Sequence, residues 1–514
     1  MTDALKIWED NRDNSSEQFW QEFLAERPEV LILALDGRAY TLSSRCYVGG
    51  KSIHNSGGNE LDFLAQYGGN VALIEIKTPK SDLLAPTNSA SLRRVISPGG
   101  GHLRGVKLGE VERLRGELAE FVADVLGSLP RRDQRRWGDC YLRGLMLDGR
   151  RKSIQPMAER LPDGNMQALQ QFVNQSPWDP LPVRRRIAQR LCEAIRPEVW
   201  VVDDVSFPKC GTASVGVARQ YCGALGKRAN CQVAVSVHAA TDTASCPLEW
   251  ELFLPQEWAH DDGRRQRAGI PVEVGHVSKT HLALGLLDRL AGQGLAVPVI
   301  VADAGYGRSV SFRLALEERA WTYVMAVDPK EIARPADAEP YQPAYGGLGP
   351  PTLPRYREKP CPLPGLVDET AVFEEVTWRQ GSKGAMTSHF AVLPVRPSGK
   401  EACRTAQEQA GGRSRWDGVL PLRTLLVERP EEADEPTGYW MTNLPATTPI
   451  ADLVRWAKMR WRIEHDYREL KHGLGLDHFE GRTWRGWHHH VTLVTAAQAF
   501  LTLRRLDPKA QAPA

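Results

Sequence analysis

Apolar and polar positions alternate along this chain in stretches of distinct period. Residues 15–27, SSEQFWQEFLAER, place apolar groups at helical spacing, with Ser15 or Ser16 as N-cap. Two β-like stretches follow, near Val30–Leu35 and Arg38–Tyr47. Glu60–Leu64 and Val71–Ile76 read as two strands joined by the turn Tyr67-Gly68-Gly69-Asn70. Residues 85–109 then turn rich in Pro, Gly, Ser and Asn, and Ser97-Pro98-Gly99-Gly100-Gly101 breaks any regular element, so a boundary is expected there.

Residues 108–196 carry helical periodicity, in pieces at Glu110–Leu129, Arg131–Asp148, Met166–Asn174 and Val183–Ile195. From Val199 the pattern is strand-like, with candidates at Val199–Asp204, Asn230–His238 and Leu248–Leu254. An amphipathic helix over Lys279–Gly292 follows, then the apolar strand Pro298–Asp303, a helix over Ser309–Arg319 and a strand over Trp321–Val327. That order fits an α/β fold, a mixed sheet covered by helices. Residues 330–445 are rich in Pro and Gly with short β-like pieces such as Phe390–Pro394 and Leu420–Val427, as in an insertion built of strands. Helical periodicity returns over Pro449–Leu474 and Trp487–Leu506. There is no internal repeat.

A length of 514 residues suggests about three domains at roughly 150 residues each. With 42% hydrophobic and 25% charged residues the composition is that of a globular protein, which excludes disordered and fibrous classes. No apolar run approaches the roughly 20 residues of a membrane span. The acidic, polar start does not read as a secretory signal, and nine cysteines without a CxxC pair fit reduced thiols in a cytoplasm rather than a zinc module. The net charge of +2 conceals an uneven distribution. Residues 1–95 hold 10 basic and 13 acidic groups, residues 103–198 hold 18 and 13, and residues 451–514 hold 11 and 7. Two basic segments can therefore track phosphates, or can be solvated arginine-rich helix faces.

Asp203 and Asp204 end the strand VWVVDD, and Asp303 ends VIVADAGYG. Carboxylates at neighbouring strand ends can converge on divalent ions that activate water in phosphoryl transfer. Glu464 stands on the helix KMRWRIEHDYRELK, where Arg460, Glu464 and Lys471 at i, i+4 and i+11 share one face. An exposed helix with surface salt bridges is the plain alternative for that segment alone. His488-His489-His490 points in different directions on a helix, so a surface or packing role is expected. Gly305-Tyr306-Gly307 lets the chain turn sharply after Asp303 and lacks the lysine and spacing of a phosphate loop. Lys209 is a candidate for phosphate contact, as are, by charge, Arg131, Arg132, Arg135, Arg136, Arg150, Arg151 and Lys152 in the helical segment.

From about residue 108 to 505 the chain resembles the DDE transposases of bacterial insertion sequences, most of all the insertion sequence 701 family. The motifs that carry this are RGLMLDGRRKSIQPMAER, VVDDVSFPKCGTASVGVARQYCGALGKRANCQVAVSV, LFLPQEW, AGIPVEV, VIVADAGYG and RWRIEHDYRELKHGLGLDHFEGRTWRGWHHH. The resemblance implies an RNase H-like catalytic domain with a β-rich insertion and a helical DNA-binding region before it. It implies Mg²⁺ (or Mn²⁺), double-stranded DNA as partner, and a dimer in the DNA complex. Carried over by motif, it makes Asp203, Asp303 and Glu464 the catalytic and metal-binding residues, with Asp204 the alternative to Asp203. Arg460 and Lys471 take supporting places in the signature Tyr-x2-Arg-x3-Glu-x6-Lys. The tyrosine position holds Ala457, with Trp456 or Trp461 as possible substitutes for stacking, and Val205 with Ser206 stands where the family has Thr.

The first ninety residues carry a second constellation, Asp62 on one strand and Glu75-Ile76-Lys77 at the end of the next. An ordinary hairpin gives the same pattern. NELDFLAQYGGNVALIEIKTPKSDLL resembles the PD-(D/E)xK nuclease domain of Shedu-type defence proteins over residues 10–84, with Trp20 and Phe23 as its packing face and Glu17 as a further acid. The nuclease core reads as truncated, as an in-frame insertion of a transposon would leave it. The expected layout is then a nuclease-like fragment (1–84), a linker (85–107), a helical DNA-binding region (108–198), a first catalytic part (199–329), the β-rich insertion (330–447), the Glu helix with the last helix (448–506) and a tail (507–514). The expected function is DNA transposition. The alternatives are a defence nuclease fused to a transposase-like domain and a catalytically decayed DNA-binding remnant.

Overall fold

The computed structural model describes residues 108–507, apart from 148, 150, 348–351, 368–370 and 382–383, and within the first 107 residues four strands and the helical positions Phe19, Glu22, Phe23 and Glu26. The chain divides into two units, residues 1–111 and 112–514.

In the first unit β1 (Ala39–Val48), β2 (Asn59–Tyr67), β3 (Asn70–Ile76) and β4 (Arg94–Ile96) form one sheet in that order. Tyr67 pairs with Asn70 where the sequence places its turn, and β1, β2 and β3 are antiparallel neighbours. Phe23 is buried with its ring stacked on Phe19. β4 corrects the reading of 85–107 as linker: Arg94, Val95 and Ile96 pair in parallel with Ile74, Glu75 and Ile76. Two β-branched residues suffice for this short strand, and the surrounding Pro, Gly and Ser hide it. The expected strand at Val30–Leu35 lies outside the described residues, as do Glu17, Trp20 and Lys77.

The second unit opens with five helices, α1 (Leu108–Val125), α2 (Arg132–Met146), α3 (Ile154–Arg160), α4 (Met166–Asn174) and α5 (Pro180–Ile195). Their starts follow from the sequence: the Asn165 side chain accepts from Ala168 N, and Asp179 accepts from Leu181 N just before Pro180. The core strands are β5 (Val199–Pro208), β6 (Ala218–Cys222), β7 (Lys227–Ala240), β8 (Ser245–Leu252), β9 (Val299–Ala302) and β10 (Tyr323–Ala326). Helices α6 (Lys279–Gly292) and α7 (Val310–Glu318) connect the later ones. β5, β9 and β10 run parallel, while β7 lies antiparallel on the outer side of β5 and carries both β8 and β6. This mixed sheet is consistent with an RNase H-like core.

The insertion does not form a separate layer. Its strands β11 (Ile332–Pro335), β12 (Pro340–Tyr341), β13 (Arg355–Tyr356), β14 (Cys361–Pro362), β15 (Glu374–Gly381), β16 (Gly384–Pro397), β17 (Arg423–Arg429) and β18 (Gly438–Thr442) surround one helix, α8 (Lys400–Gln409). β18 pairs with β10, so the insertion extends the core sheet to twelve strands; only β12 and β13 stand apart.

Three helices follow, α9 (Ile450–Lys458), α10 (Trp461–Arg468) and α11 (Trp484–Leu506). α11 is buried on nearly every side, as expected of a helix without a polar face. Its three histidines therefore pack. His489 stacks on Trp178, and burial lowers the His489 pKa to about 4 and that of His490 to about 3. The single helix expected around Glu464 is broken. α9 stops before Met459, and α10 passes into a π-turn at Glu469–Gly473. Among the described residues no helix is long and apolar enough to cross a membrane.

Candidate active site

Strand alternation selects which aspartate of the pair faces the site. Val199 and Val201 share a face of β5 with Asp203, and they pack with Val301, Met459 and Ile463 beneath the start of α10. Asp204 turns to the other side, where it forms an ion pair with Lys279 at the start of α6. Asp203 is 5% exposed and accepts a hydrogen bond from its neighbour's backbone N–H at 2.8 Å.

Asp303 follows β9, which pairs directly with β5. Its carboxylate accepts from Gly305 N at 2.8 Å and caps the single turn Ala304–Gly307. Glycine at 307 has a steric reason, since a Cβ there would lie 1.9 Å from the Ala326 carbonyl oxygen on β10. The turn thus sits against the sheet and fixes where Asp303 points. Glu464, on α10, is largely exposed.

Arg460 joins the three acids. One of its terminal nitrogens lies 3.6 Å from Asp203 and 3.7 Å from Asp303, and the other lies 3.6 Å from Glu464. Its Nε is buried and has no hydrogen-bond partner among the described residues. The site therefore gathers three carboxylates, from two strand ends and one helix, around a single guanidinium. Among the described residues no three acids, histidines or cysteines close to metal-binding distance. The donor set nonetheless suits a hard cation: all its ligand atoms are carboxylate oxygens, and the deepest, Asp203, is buried and needs a positive partner.

Burial pushes the Asp203 carboxyl up to about 7, with Asp303 adding to the rise and Arg460 opposing it. A raised carboxyl pKa favours the folded state below the ordinary carboxylate range, and that contribution is lost as pH rises to about 7. A divalent ion, if held by Asp203, would have to compete with the same proton. The affinity of the DNA-free protein for Mn²⁺ should therefore climb between pH 5 and 7, by up to about tenfold per unit, and level off above. Titration of Mn²⁺ monitored by electron paramagnetic resonance measures this. A flat profile, or one unchanged in Asp203→Asn, would contradict the assignment of the cause.

The supporting residues fall less simply. Arg460 and Glu464 meet at i,i+4 spacing, while Lys471 lies on the π-turn that follows α10, where the helical period changes. Lys471 donates to the Ser206 carbonyl at 3.0 Å, and burial lowers its pKa. Ala457 is buried in an apolar cluster that Trp456 joins. Trp461 instead lies under Arg379 of β15, whose guanidinium stands 3.4 Å above its ring. The Ser206 hydroxyl accepts from Ala224 N, which gives it a structural part.

Several candidates for DNA contact are engaged elsewhere. Lys209 is half-buried and donates to the Phe479 carbonyl. Lys152 is buried and bonds the Leu147 carbonyl. Arg131 pairs with Asp133, and Arg135 donates to the Leu129 carbonyl. Arg132, Arg136 and Arg151 are exposed, and Arg150 lies outside the described residues.

In the first unit Phe63 pairs with Ile74, so Asp62 and Glu75 sit one position further along β2 and β3, at adjacent places on neighbouring strands. Lys77, the third member of that constellation, lies outside the described residues.

Comparison with known proteins accords with the geometry. Residues 124–385 match the family profile of DDE superfamily endonucleases, which includes Asp203 and Asp303 and stops short of Glu464. Residues 14–99 match the C-terminal region of the Shedu protein SduA, a stretch that reaches past β4 and beyond the expected limit at 84. A probable transposase for insertion sequence element IS701 from Microchaete diplosiphon is 29% identical over 187 residues, 36% of this chain and 46% of that protein. Shedu protein SduA from Bacillus cereus (strain B4264) is 38% identical over 87 residues, 16% of this chain and 23% of that protein. The chain thus spans less than half the length of either relative. Two strand-end aspartates on a mixed sheet, within a profile match that covers half of the sequence, show that this chain belongs to the DDE superfamily endonucleases and carries a Shedu SduA-type segment ahead of that domain.

Proposed function

We propose that the chain is the DDE transposase of a bacterial insertion sequence, cutting and joining double-stranded DNA at the ends of its own element, with two copies in the DNA complex. The observation that carries this reading is the gathering of Asp203, Asp303 and Glu464 around Arg460 from three separate parts of the sequence. Asp203, Asp303 and Glu464 would hold Mg²⁺ or Mn²⁺. When bound, the metal supplies an activated water or hydroxyl nucleophile and stabilises charge on the leaving oxygen.

The chain's own residues set the rest. Asp303 is oriented by the Gly305 N–H, and Asp203 is held out of water by burial. Arg460 neutralises the acids in the free protein and can turn toward a phosphate when a cation replaces it. Lys471 ties the π-turn to β5 beyond Asp203, so its part is to hold that turn in place. A cleft of about 900 Å³ adds support for a polyanionic partner: Arg219, Arg264, Arg267 and Arg482 line it, against Glu257 and Asp261. Asp261 is already committed to the N–H of Arg264. Of these Arg219, Arg267 and Arg482 are exposed, while Arg264 is half-buried and stacks on Trp258; exposed cations hold phosphates without reading sequence.

The test is incubation of the full chain with DNA bearing the inverted repeats that flank its gene, with Mg²⁺, and detection of cleaved and joined ends. Absence of both products with correctly folded protein would overturn the reading. We further propose that residues 1–100 are a remnant of a Shedu-type nuclease that transposition does not need. Deletion of residues 1–100 should leave end joining within about twofold of the full chain. Loss of joining on deletion, or metal-dependent DNA cleavage that vanishes with Lys77→Ala, would favour the two-enzyme alternative.

A further inference from the structure

We infer that Asp466 and His238 are positioning residues that set the rotation of α10, and through it the place of Glu464. The inference rests on the reading of Glu464 as the third carboxylate of the site. α10 has only eight residues, between a break and a π-turn, so no long helix holds its orientation. Its apolar seat, Ile463 against Val199, Val201 and Val301, is non-directional and tolerates sliding. Direction comes from a buried polar ladder that starts at Asp466 and ends at Tyr467, both on α10.

Asp466 is 2% exposed. One of its oxygens accepts from the Ser245 hydroxyl at 2.7 Å, and the other lies 3.0 Å from His238 Nδ1. His238 Nε2 lies 3.1 Å from the Ser236 hydroxyl, which is 2.6 Å from the Tyr467 hydroxyl. With Asp466 accepting, His238 donates from Nδ1, and in the neutral ring its Nε2 then accepts from Ser236. In that arrangement Ser236 accepts from Tyr467, and each group of the ladder is paired. Ser236 is the residue of β7 paired with Asp203 of β5. The ladder therefore runs from the helix that bears Glu464 to the strand position beside Asp203, and it fixes the two acids relative to each other. A buried carboxylate met on both oxygens specifies one arrangement; any rotation of α10 would leave it unpaired.

The test uses the full chain with His238→Phe, which keeps ring bulk but removes the ladder, and His238→Asn, whose amide restores a donor toward Asp466. Mn²⁺ binding is measured by electron paramagnetic resonance without DNA, beside end cleavage and thermal unfolding. His238→Phe should weaken Mn²⁺ binding about 10- to 100-fold, as loss of groups that orient metal ligands does, and lower kcat with little change in KM for DNA. His238→Asn should recover much of both. In a Glu464→Gln background His238→Phe should weaken Mn²⁺ binding no further, because the ladder acts through that acid. Equal losses in both backgrounds, or unchanged Mn²⁺ affinity in a folded His238→Phe protein, would overturn the inference. If His238→Phe fails to fold, Asp466→Asn and His238→Asn decide by the same comparison. If Glu464→Gln alone leaves Mn²⁺ affinity untouched, it is the underlying site reading that fails.

Discussion

Glu464→Gln should reduce end cleavage and joining by about a thousandfold or more, since losing a metal-binding carboxylate removes several kcal/mol of transition-state stabilisation at 1.36 kcal/mol per decade. Binding of the end DNA should stay nearly intact. Glutamine keeps the size and shape of the side chain, and Glu464 is exposed and bonded only loosely to Arg460, so the fold does not depend on its charge. A neutral amide is a poor ligand for Mg²⁺, so the loss falls on the chemical step. Cleavage and gel-shift measurements on the same DNA separate the two effects. Joining at the parent rate would show that the acid is not part of the site.

The largest effect on stability is expected far from that chemistry, at Arg184. This guanidinium is 1% exposed on α5. It donates to Glu249 and to the Trp250 carbonyl at 2.8 Å each, to Thr492 at 2.7 Å and to the His488 carbonyl at 3.1 Å. It thereby clamps α5, β8 and α11 together. Arg184→Met leaves the Glu249 carboxylate buried and without its nearest cation, a defect that costs about 3–5 kcal/mol. Replacing Glu249 by Leu as well should restore much of the loss, because the charge left behind is what destabilises. Urea unfolding of the single and double variants checks this. A single variant within about 1 kcal/mol of the parent would show that the pair is not needed.

Much of this architecture is legible in the sequence because local signals carry it. The pairing of Tyr67 with Asn70 between two strands, the helix over Met166–Asn174 and the apolar run into Asp303 each depend on neighbours within a few residues. Period alone leaves Asp203 and Asp204 open. The structure distinguishes them by what covers each face of β5, Ile463 and Arg460 on one side and Lys279 on the other. The sequence hides three things. The break before α10 has no Pro or Gly to mark it, so KMRWRIEHDYRELK reads as a continuous helix. The pairing of β18 with β10, which merges the insertion into the core sheet, joins residues more than a hundred positions apart. The burial of Arg184, Lys152, Asp466 and the three histidines reverses the usual placement of such residues, and only their tertiary partners explain it.

The central claim is that Asp203, Asp303 and Glu464 together hold the ion that serves DNA cleavage. Anomalous X-ray scattering from crystals of the full chain with end DNA and Mn²⁺ tests it most directly. The account predicts a manganese peak ligated by Asp203 and Asp303, with Glu464 in the same cluster and the Arg460 guanidinium displaced from its place among them. A peak held instead by Asp204, or no ordered manganese at these three carboxylates in a complex that cleaves its DNA, would contradict it.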